Sequence, residues 1–258
     1  MVTYGYWSRF GYHVTHCCHP AGTHEVTWPK LWGLTFVEGA PDSVRAECHG
    51  WMVRERHKLA LWSDLRLDPA DLLARMDRKH TQRRIRKAEG MPISLHVNET
   101  PAREVLRLYD AFAATKGLRA DSRLDSLAKR VQVCDISEAR YDGTPVVYHI
   151  MLRDFPRCVR VSTSFHSLEA NVDDATRSIV NRYLHWMEML RYRDEGFSLY
   201  GWGSVALDPE SPAYNISTFK RSFGGDEIAE WELVLAGRAL RTVLGPVLRR
   251  VGHPEDPF

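Results

Sequence analysis

The stretch ISEARYDGTPVVYHIMLRDFPRCVRVSTSFH, residues 136–166, decides the fold class. It holds three runs rich in β-branched, aromatic and other apolar residues: Ile136–Asp142, Val146–Arg153 and Cys158–His166. Such runs favour a pleated, half-buried surface. Asp142-Gly143 between the first two is a hairpin signal, because a tight two-residue turn needs positive φ, which Asp and Gly tolerate. Asp154-Phe155-Pro156 separates the second pair. The three runs therefore read as an antiparallel meander.

Helices and strands alternate around this meander. Downstream, Asp173 or Asp174 can cap a helix running to about Arg193, with Ile179, Val180, Tyr183, Leu184, Met187 and Leu190 as its inner face. Gly196 stops it, and Phe197–Trp202 reads as a buried strand. Tyr214–Phe223 is a short helix ended by Gly224-Gly225, whose main expected duty is the helix stop and tight turn. Ile228–Leu235 gives a further strand, and Arg238–Val251 a last, basic amphipathic helix interrupted by Pro246.

Upstream lie a strand over Ile93–Val97, a helix over Ala102–Lys116 with Val105, Leu108, Tyr109 and Phe112 inside, and a shorter helix over Arg123–Val131. Asp68-Pro69-Ala70-Asp71 is a helix start, since Asp68 can cap and proline suits the first helical position. The pattern carries that helix to about Glu89, before Gly90 and Pro92. Leu72, Leu73 and Met76 form one face, and His80, Arg83 and Lys87 continue it at 3.6 residues per turn. Either the helix breaks near Thr81, or its second half leaves the core and points cations into a cleft. Trp32–Val37 and Lys58–Trp62 read as strands in an N-terminal region rich in aromatics and histidine.

Composition narrows the class. Among 258 residues, 44% are hydrophobic and 26% charged, as in ordinary globular proteins. No run of about 18 apolar residues appears, so no membrane span is expected. No charged leader with an apolar core opens the chain, and the five cysteines, an odd number, form no paired CxxC knuckles. A reducing cytoplasm with free thiols is the expected setting. His13, His16, Cys17, Cys18, His19 and His24 invite a metal, but their spacing fits no standard finger and the adjacent cysteines suit a closed tetrahedral site badly, so none is expected. The formal net charge is +2, yet Arg78, Lys79, Arg83, Arg84, Arg86 and Lys87 crowd one segment without an acid. Such a patch attracts phosphates even on a near-neutral protein, or is simply a solvated basic helix.

The element order is similar to the GNAT fold: an α/β architecture with a central, mainly antiparallel mixed sheet flanked by helices. Three segments resemble the FemABX aminoacyltransferases. Gln82-Arg83-Arg84-Ile85-Arg86-Lys87-Ala88-Glu89-Gly90 looks like that family's "R-x-I-R-K-A" helix end. Ile216-Ser217-Thr218-Phe219-Lys220-Arg221-Ser222-Phe223-Gly224-Gly225 looks like its "F-K-x-x-F-G" element, and Gly196–Gly203 resembles its glycine-ended strand. The resemblance covers roughly Lys58 to Leu235. It implies a GNAT-like acyltransferase domain over 58–258, preceded by an extension or reduced first domain over 1–57. The strand that commonly carries an Asp in the family reads Tyr200-Gly201-Trp202 here.

The resemblance implies that Lys220 lies in the active cleft and contacts the acyl carbonyl region; on its own it would read as a solvated lysine on a short helix. Phe219, Tyr200 and Trp202 become candidate substrate contacts, though Phe219 and Phe223, four residues apart, equally suit packing. Arg83, Arg84, Arg86 and Lys87 become candidate ligands for phosphates of a donor, with Arg83 and Lys87 expected to turn inward. Aminoacyl-tRNA is the expected donor and acyl-CoA the alternative, each as co-substrate with no further cofactor; the acceptor is expected to be an amine of a small metabolite, a peptide or a cell-envelope precursor. Acetyl-CoA enzymes of the GNAT class usually carry a glycine-bearing loop at the start of the long helix, where backbone N–H groups hold a diphosphate. Here that place reads Asn171-Val172-Asp173-Asp174-Ala175-Thr176, without glycine and with two acids. For a general base, His149, His166 and Glu188 are available, with a hydrogen-bonded core histidine as the plainer reading of either histidine.

Overall fold

The computed structural model describes residues 2–7, 13–18, 28–29, 33–116, 134–154, 157–240 and 242. Within them lie ten strands and six α-helices. The strands are β1 (Val2–Trp7), β2 (His13–Cys18), β3 (Gly33–Ala40), β4 (Met52–Asp64), β5 (Ile93–Val97), β6 (Cys134–Tyr141), β7 (Thr144–Asp154), β8 (Cys158–His166), β9 (Leu199–Val205) and β10 (Asp226–Ala236). The helices are α1 (Asp42–Cys48), α2 (Pro69–Ala74), α3 (Arg83–Ala88), α4 (Ala102–Thr115), α5 (Asp174–Asp194) and α6 (Tyr214–Arg221). The chain divides into two compact units, one of residues 1–61, 204–220 and 226–258, the other of 62–203 and 221–225.

The first unit orders its strands β1-β2-β3-β10-β4. β1 runs antiparallel to β2, β2 parallel to β3, and β3 antiparallel to β10. Val37, Ala40, Leu233 and Leu235 bury one face against Val44 and Cys48 of α1. Fully burying a Leu or Val stabilises by roughly 1.5–3 kcal/mol, so this short helix is held by its tertiary contacts more than by its own propensity.

The second unit orders its strands β9-β8-β7-β6-β5. The expected meander is β6-β7-β8, antiparallel throughout, with Asp142 and Gly143 both at positive φ (49° and 75°) in the hairpin. Ala139, Val146 and Val147 pack on Val180 and Leu184 of α5. Tyr148, next along β7, points to the other face. It stacks there on Phe165, which also meets Tyr109 of α4 edge-on. The mainly antiparallel α/β architecture read from the sequence is thus present.

One expected helix is not continuous. Of the two forms expected between Asp68 and Glu89, the structure takes the break near Thr81: α2 ends at Ala74, and a π-helical turn spans Arg78–Gln82 before α3. The interruption is held from both sides. Asp77 accepts from the His80 backbone N–H, and its own N–H donates to Ser222 O at 2.8 Å. Thr81 Oγ1 donates to Ser222 Oγ at 2.8 Å, and Gln82 Nε2 to Met76 O at 2.8 Å. A π turn inserts an extra residue and shifts the phase of the helix beyond it. The inward residues are therefore Thr81, Gln82, Ile85 and Ala88, while Arg83 and Lys87 are exposed, correcting the expectation that these two turn inward.

Gly224 and Gly225 end the segment that anchors this break. They sit at φ 74° and 112°, and a Cβ on either would lie 2.6 Å from a backbone oxygen, that of Arg75 or Trp62 respectively. Glycine is required by close approach of backbone as well as by the turn. The segments 123–131, 241 and 243–251, for which helices were expected, lie outside the described residues.

Candidate active site

β8 and β9 run parallel, and their pairing covers only Cys158↔Leu199, Val159↔Tyr200 and Arg160↔Gly201. Beyond Gly201 the two strands make no further pairing with each other, and β8 continues to His166. The strand expected over 197–202 thus parts from its neighbour at Trp202. On its other edge β8 stays bonded to β7 through His166, with a register shift at Ser162, while its β9-side edge is open. Ser162 and Ser164 in this open stretch are exposed. Gly201 marks the parting point, where a Cβ would lie 2.6 Å from the Trp62 ring.

α5 packs on the sheet beside this opening. Its N-terminus is capped, because Asp173 accepts from Thr176 N at 2.6 Å. The backbone and side-chain bonds with Thr176 hold the Asp173 carboxyl below the usual aspartate range, with a smaller contribution from Lys87. A diphosphate approaching this helix end meets the Asp173 carboxylate.

The cations divide among distinct places. Arg83, Arg86 and Lys87 are exposed on α3. Arg84 is half-buried and donates to His80 O at 3.2 Å. Arg182 on α5 is also half-buried and donates to Ser178 Oγ at 2.7 Å. Burial, and then the like charge of Arg84, lower the Arg182 guanidinium to about 10 against the opposing pull of Asp77. Two cations that disfavour each other on packed helices suit an anionic ligand.

A hydrogen-bonded chain of polar side chains is buried between α5 and the sheet. His149 on β7 and Glu188 on α5 are both 0% exposed, and His149 Nδ1 lies 2.8 Å from Glu188 Oε2. His149 Nε2 lies 3.0 Å from Asn181 Oδ1. Tyr200 O–H donates to Glu188 Oε2 at 2.7 Å, and His185 Nδ1 lies 2.8 Å from the Tyr200 oxygen. The second carboxylate oxygen of Glu188 has no hydrogen-bond partner. Burial, followed by Glu188, raises the Tyr200 hydroxyl well above the ordinary tyrosine value, so it stays a donor.

His149, His185 and Glu188 bring ligand-type atoms within 4.8 Å of one another. Donors bound tetrahedrally to zinc at about 2.0–2.1 Å stand roughly 3.3 Å apart. The 2.8 Å between Nδ1 and Oε2 is a hydrogen-bond length, so a proton suits this arrangement better than a metal. His13, His16, Cys17 and Cys18 lie on β2, where the backbone alone is described, and His19 and His24 lie outside the described residues.

The remaining sequence candidates take different places. Lys220, half-buried on α6, donates from Nζ to Ser204 O at 2.7 Å, and Phe219 beside it is half-buried. Phe223 lies beyond the end of α6 and is 1% exposed, stacked near Trp202, so it packs rather than sharing a helix face with Phe219. Tyr200 and Trp202, expected as substrate contacts, are 0% and 2% exposed. Trp202 Nε1 donates to Ser63 Oγ at 2.9 Å, and Tyr200 belongs to the buried chain. In this structure both support the wall of the opening from inside. His166 is half-buried, lowered by burial and by Arg177, and packs edge-on against Phe112.

Asn181, His185 and Arg182 escaped the sequence reading. The available signal was the spacing of Asn181, His185, Glu188 and Tyr192, which draws a polar stripe at helical period beside the apolar face of α5.

No protein-family model and no curated protein matches the chain. Solved structures do. FemX superposes with a TM-score of 0.58 at 8% identity, over 82% of this chain and 74% of that one. L-PGS from Bacillus licheniformis gives 0.53 at 12%, over 97% and 89%. The C-terminal DUF2156 domain of a protein assigned as a lysylphosphatidylglycerol synthetase in Agrobacterium fabrum gives 0.54 at 11%, over 95% and 88%. The chain shares their fold. No described helix is long and apolar enough to cross a membrane.

Proposed function

We propose that this protein is an acyltransferase that moves an aminoacyl group from an anionic carrier, aminoacyl-tRNA, to an amine of a small metabolite, a peptide or a cell-envelope precursor. The observation that carries the donor assignment is the opening between β8 and β9 beside a helix whose N-terminus Asp173 already fills. That arrangement offers no diphosphate seat of the usual coenzyme A kind, while Arg84, Arg182 and the exposed Arg83, Arg86 and Lys87 offer cations to a longer polyanion. The likeness in fold to FemX and to L-PGS supports the same reading by analogy.

In this reading the amine attacks the ester carbonyl, and Lys220 exchanges its bond to Ser204 O for the developing oxyanion. One such donor contributes on the order of 3–4 kcal/mol to the transition state. Lys220→Ala is then expected to lower turnover by roughly 10²–10³-fold with donor affinity little changed. The first experiment follows donor loss when the purified protein meets charged tRNA pools and acyl-CoA pools. Neutralising Arg83, Arg84, Arg86 and Lys87 together should weaken tRNA binding and flatten its salt slope by up to about one unit per lost phosphate contact.

An acyl-CoA donor is the second reading, favoured by the unpaired edge of β8, which suits an extended, amide-bearing carrier arm. Turnover that resists ribonuclease and depends little on salt would select it. If the protein binds an anionic pool and consumes neither donor, it is a non-catalytic binding module.

A further inference from the structure

With the Asn181 amide oriented so that Oδ1 faces the ring, the hydrogen bonds of the buried chain on α5 imply one proton count. Asn181 Oδ1 is a carbonyl oxygen and can only accept, so His149 Nε2 carries a hydrogen. Tyr200 spends its single proton on Glu188 Oε2, so the Tyr200 oxygen accepts from His185 Nδ1–H. That leaves His149 Nδ1 facing Glu188 Oε2 at 2.8 Å, two atoms that would repel without a proton between them. His149 and Glu188 together therefore hold two protons, as imidazolium with carboxylate or as imidazole with carboxylic acid.

The unpartnered Oε1 of Glu188 gives this pair its second mark. Among the described residues the ion-pair partners of Glu188 are His149 and His185, and no arginine or lysine is among them. From α5 the other ionisable neighbour is Tyr192, with Asp135 of β6 and Arg191 behind it; from β9 it is Tyr200 and from β7 His149. The pair is thus neutralised by a movable proton in place of a fixed cation.

One end of this chain lies towards the opening. The register partner of His149 on β8 is Ser164, exposed in the stretch that β9 has left, and Asn181, which covers Nε2, is half-buried. Glu188, Tyr200 and His185 back the ring from the interior.

We propose that His149 and Glu188 form the proton-exchanging pair of the acyl transfer, with His149 Nε2 as the exchanging atom and Asn181 as its cover. This rests on the acyltransferase reading above. A carbon–nitrogen bond forms as the carbon–oxygen ester bond breaks. The pair gives its Nε2 proton to the leaving oxygen and is reloaded by the proton that the amine nitrogen loses, so protons balance over one turnover. Glu188 acts through the ring and is a positioning residue.

Two measurements test this. Nitrogen-15 NMR of histidine-labelled protein, with the His149 signals assigned by their loss in His149→Asn, should show Nε2 protonated at pH 7. A bare Nε2 overturns the proposal. Glu188→Gln keeps the shape but removes the shared proton, and should lower kcat by about 10²-fold or more with KM nearly unchanged. It should also move the alkaline limb of the pH–kcat profile, and Glu188→Asp should restore part of the rate. A folded Glu188→Gln protein with the wild-type kcat and pH profile overturns the proposal while the acyltransferase reading stands. Wild-type protein that consumes neither tRNA nor CoA donors overturns both. Should Glu188→Gln not fold, Asn181→Leu on the cleft side carries the same pH test: an unmoved limb there counts against the exchange.

Discussion

Two carboxylates in the second unit are almost equally buried, Asp135 at 1% and Glu188 at 0%, and they are neutralised in opposite ways. Asp135, at the start of β6, accepts from Asn98 Nδ2 at 2.9 Å, Tyr192 O–H at 3.0 Å, Arg191 Nη2 at 3.0 Å and Arg153 Nη1 at 3.3 Å. Burial pushes this carboxyl up, but the Asn98 bond and the two guanidiniums outweigh it and hold the group below the ordinary aspartate range. Glu188, on α5, has imidazoles and a phenol as partners and one oxygen without any. Fixed guanidiniums lock a charge in place. A proton shared with a histidine can be given and retaken, so equal burial here separates a structural carboxylate from one fit for chemistry.

The largest effect that could break this comparison is on stability. Asp135→Ala leaves Arg191 and Arg153 with Glu195 as their shared carboxylate and strands the Tyr192 hydroxyl. It should cost about 3 kcal/mol, the lower end for a broken buried pair because both guanidiniums keep some solvent. The reading is the shift of the urea midpoint at constant slope. The acid side sharpens the same point. Because the Asp135 carboxyl is lower in the folded than in the unfolded chain, its stabilisation is complete above the unfolded value of about 3.9. That stabilisation is lost as pH falls through the folded value. Asp135→Asn should flatten this acid limb of the stability curve, and an unchanged limb would place the acid sensitivity elsewhere.

Glu188→Gln should cost less, about 1–1.5 kcal/mol, since the amide keeps one acceptor for Tyr200 and the His149 ring can release a proton where a guanidinium cannot. A loss as large as that of Asp135→Ala would erase the distinction between the two groups. The smallest effect is the control. Asp173→Ala removes the α5 cap and should cost about 1 kcal/mol in thermal unfolding, while the acid limb owed to Asp135 keeps its shape.

Much of the scaffold was legible because its signals are local. Asp142-Gly143 marks its turn through residues that accept positive φ, and both adopt it. Asp173 caps α5 because its short side chain reaches an N–H three residues on. Ile179, Val180 and Leu184 turn inward at helical period, as read. The basic segment was misphased for an equally physical reason. The pattern from Leu72 to Lys87 is helical throughout, and the break comes from Ser222, some 140 positions away, whose carbonyl takes the Asp77 N–H. No local pattern carries that contact. Tyr200 and Trp202 were candidate substrate contacts through the resemblance alone, although their run reads as a buried strand, because an aromatic strand looks alike whether it lines a cleft or fills a core.

The amino-acid sequence by itself determined the meander, the order of elements, the cap and apolar face of α5 and the glycine stops, because each depends on backbone preference and periodicity among near neighbours. Tertiary structure alone decided where β9 leaves β8, which arginine turns toward α5, and that His149, Glu188 and Tyr200 share protons. Those outcomes depend on which polar groups remain to satisfy one another once distant segments have excluded water.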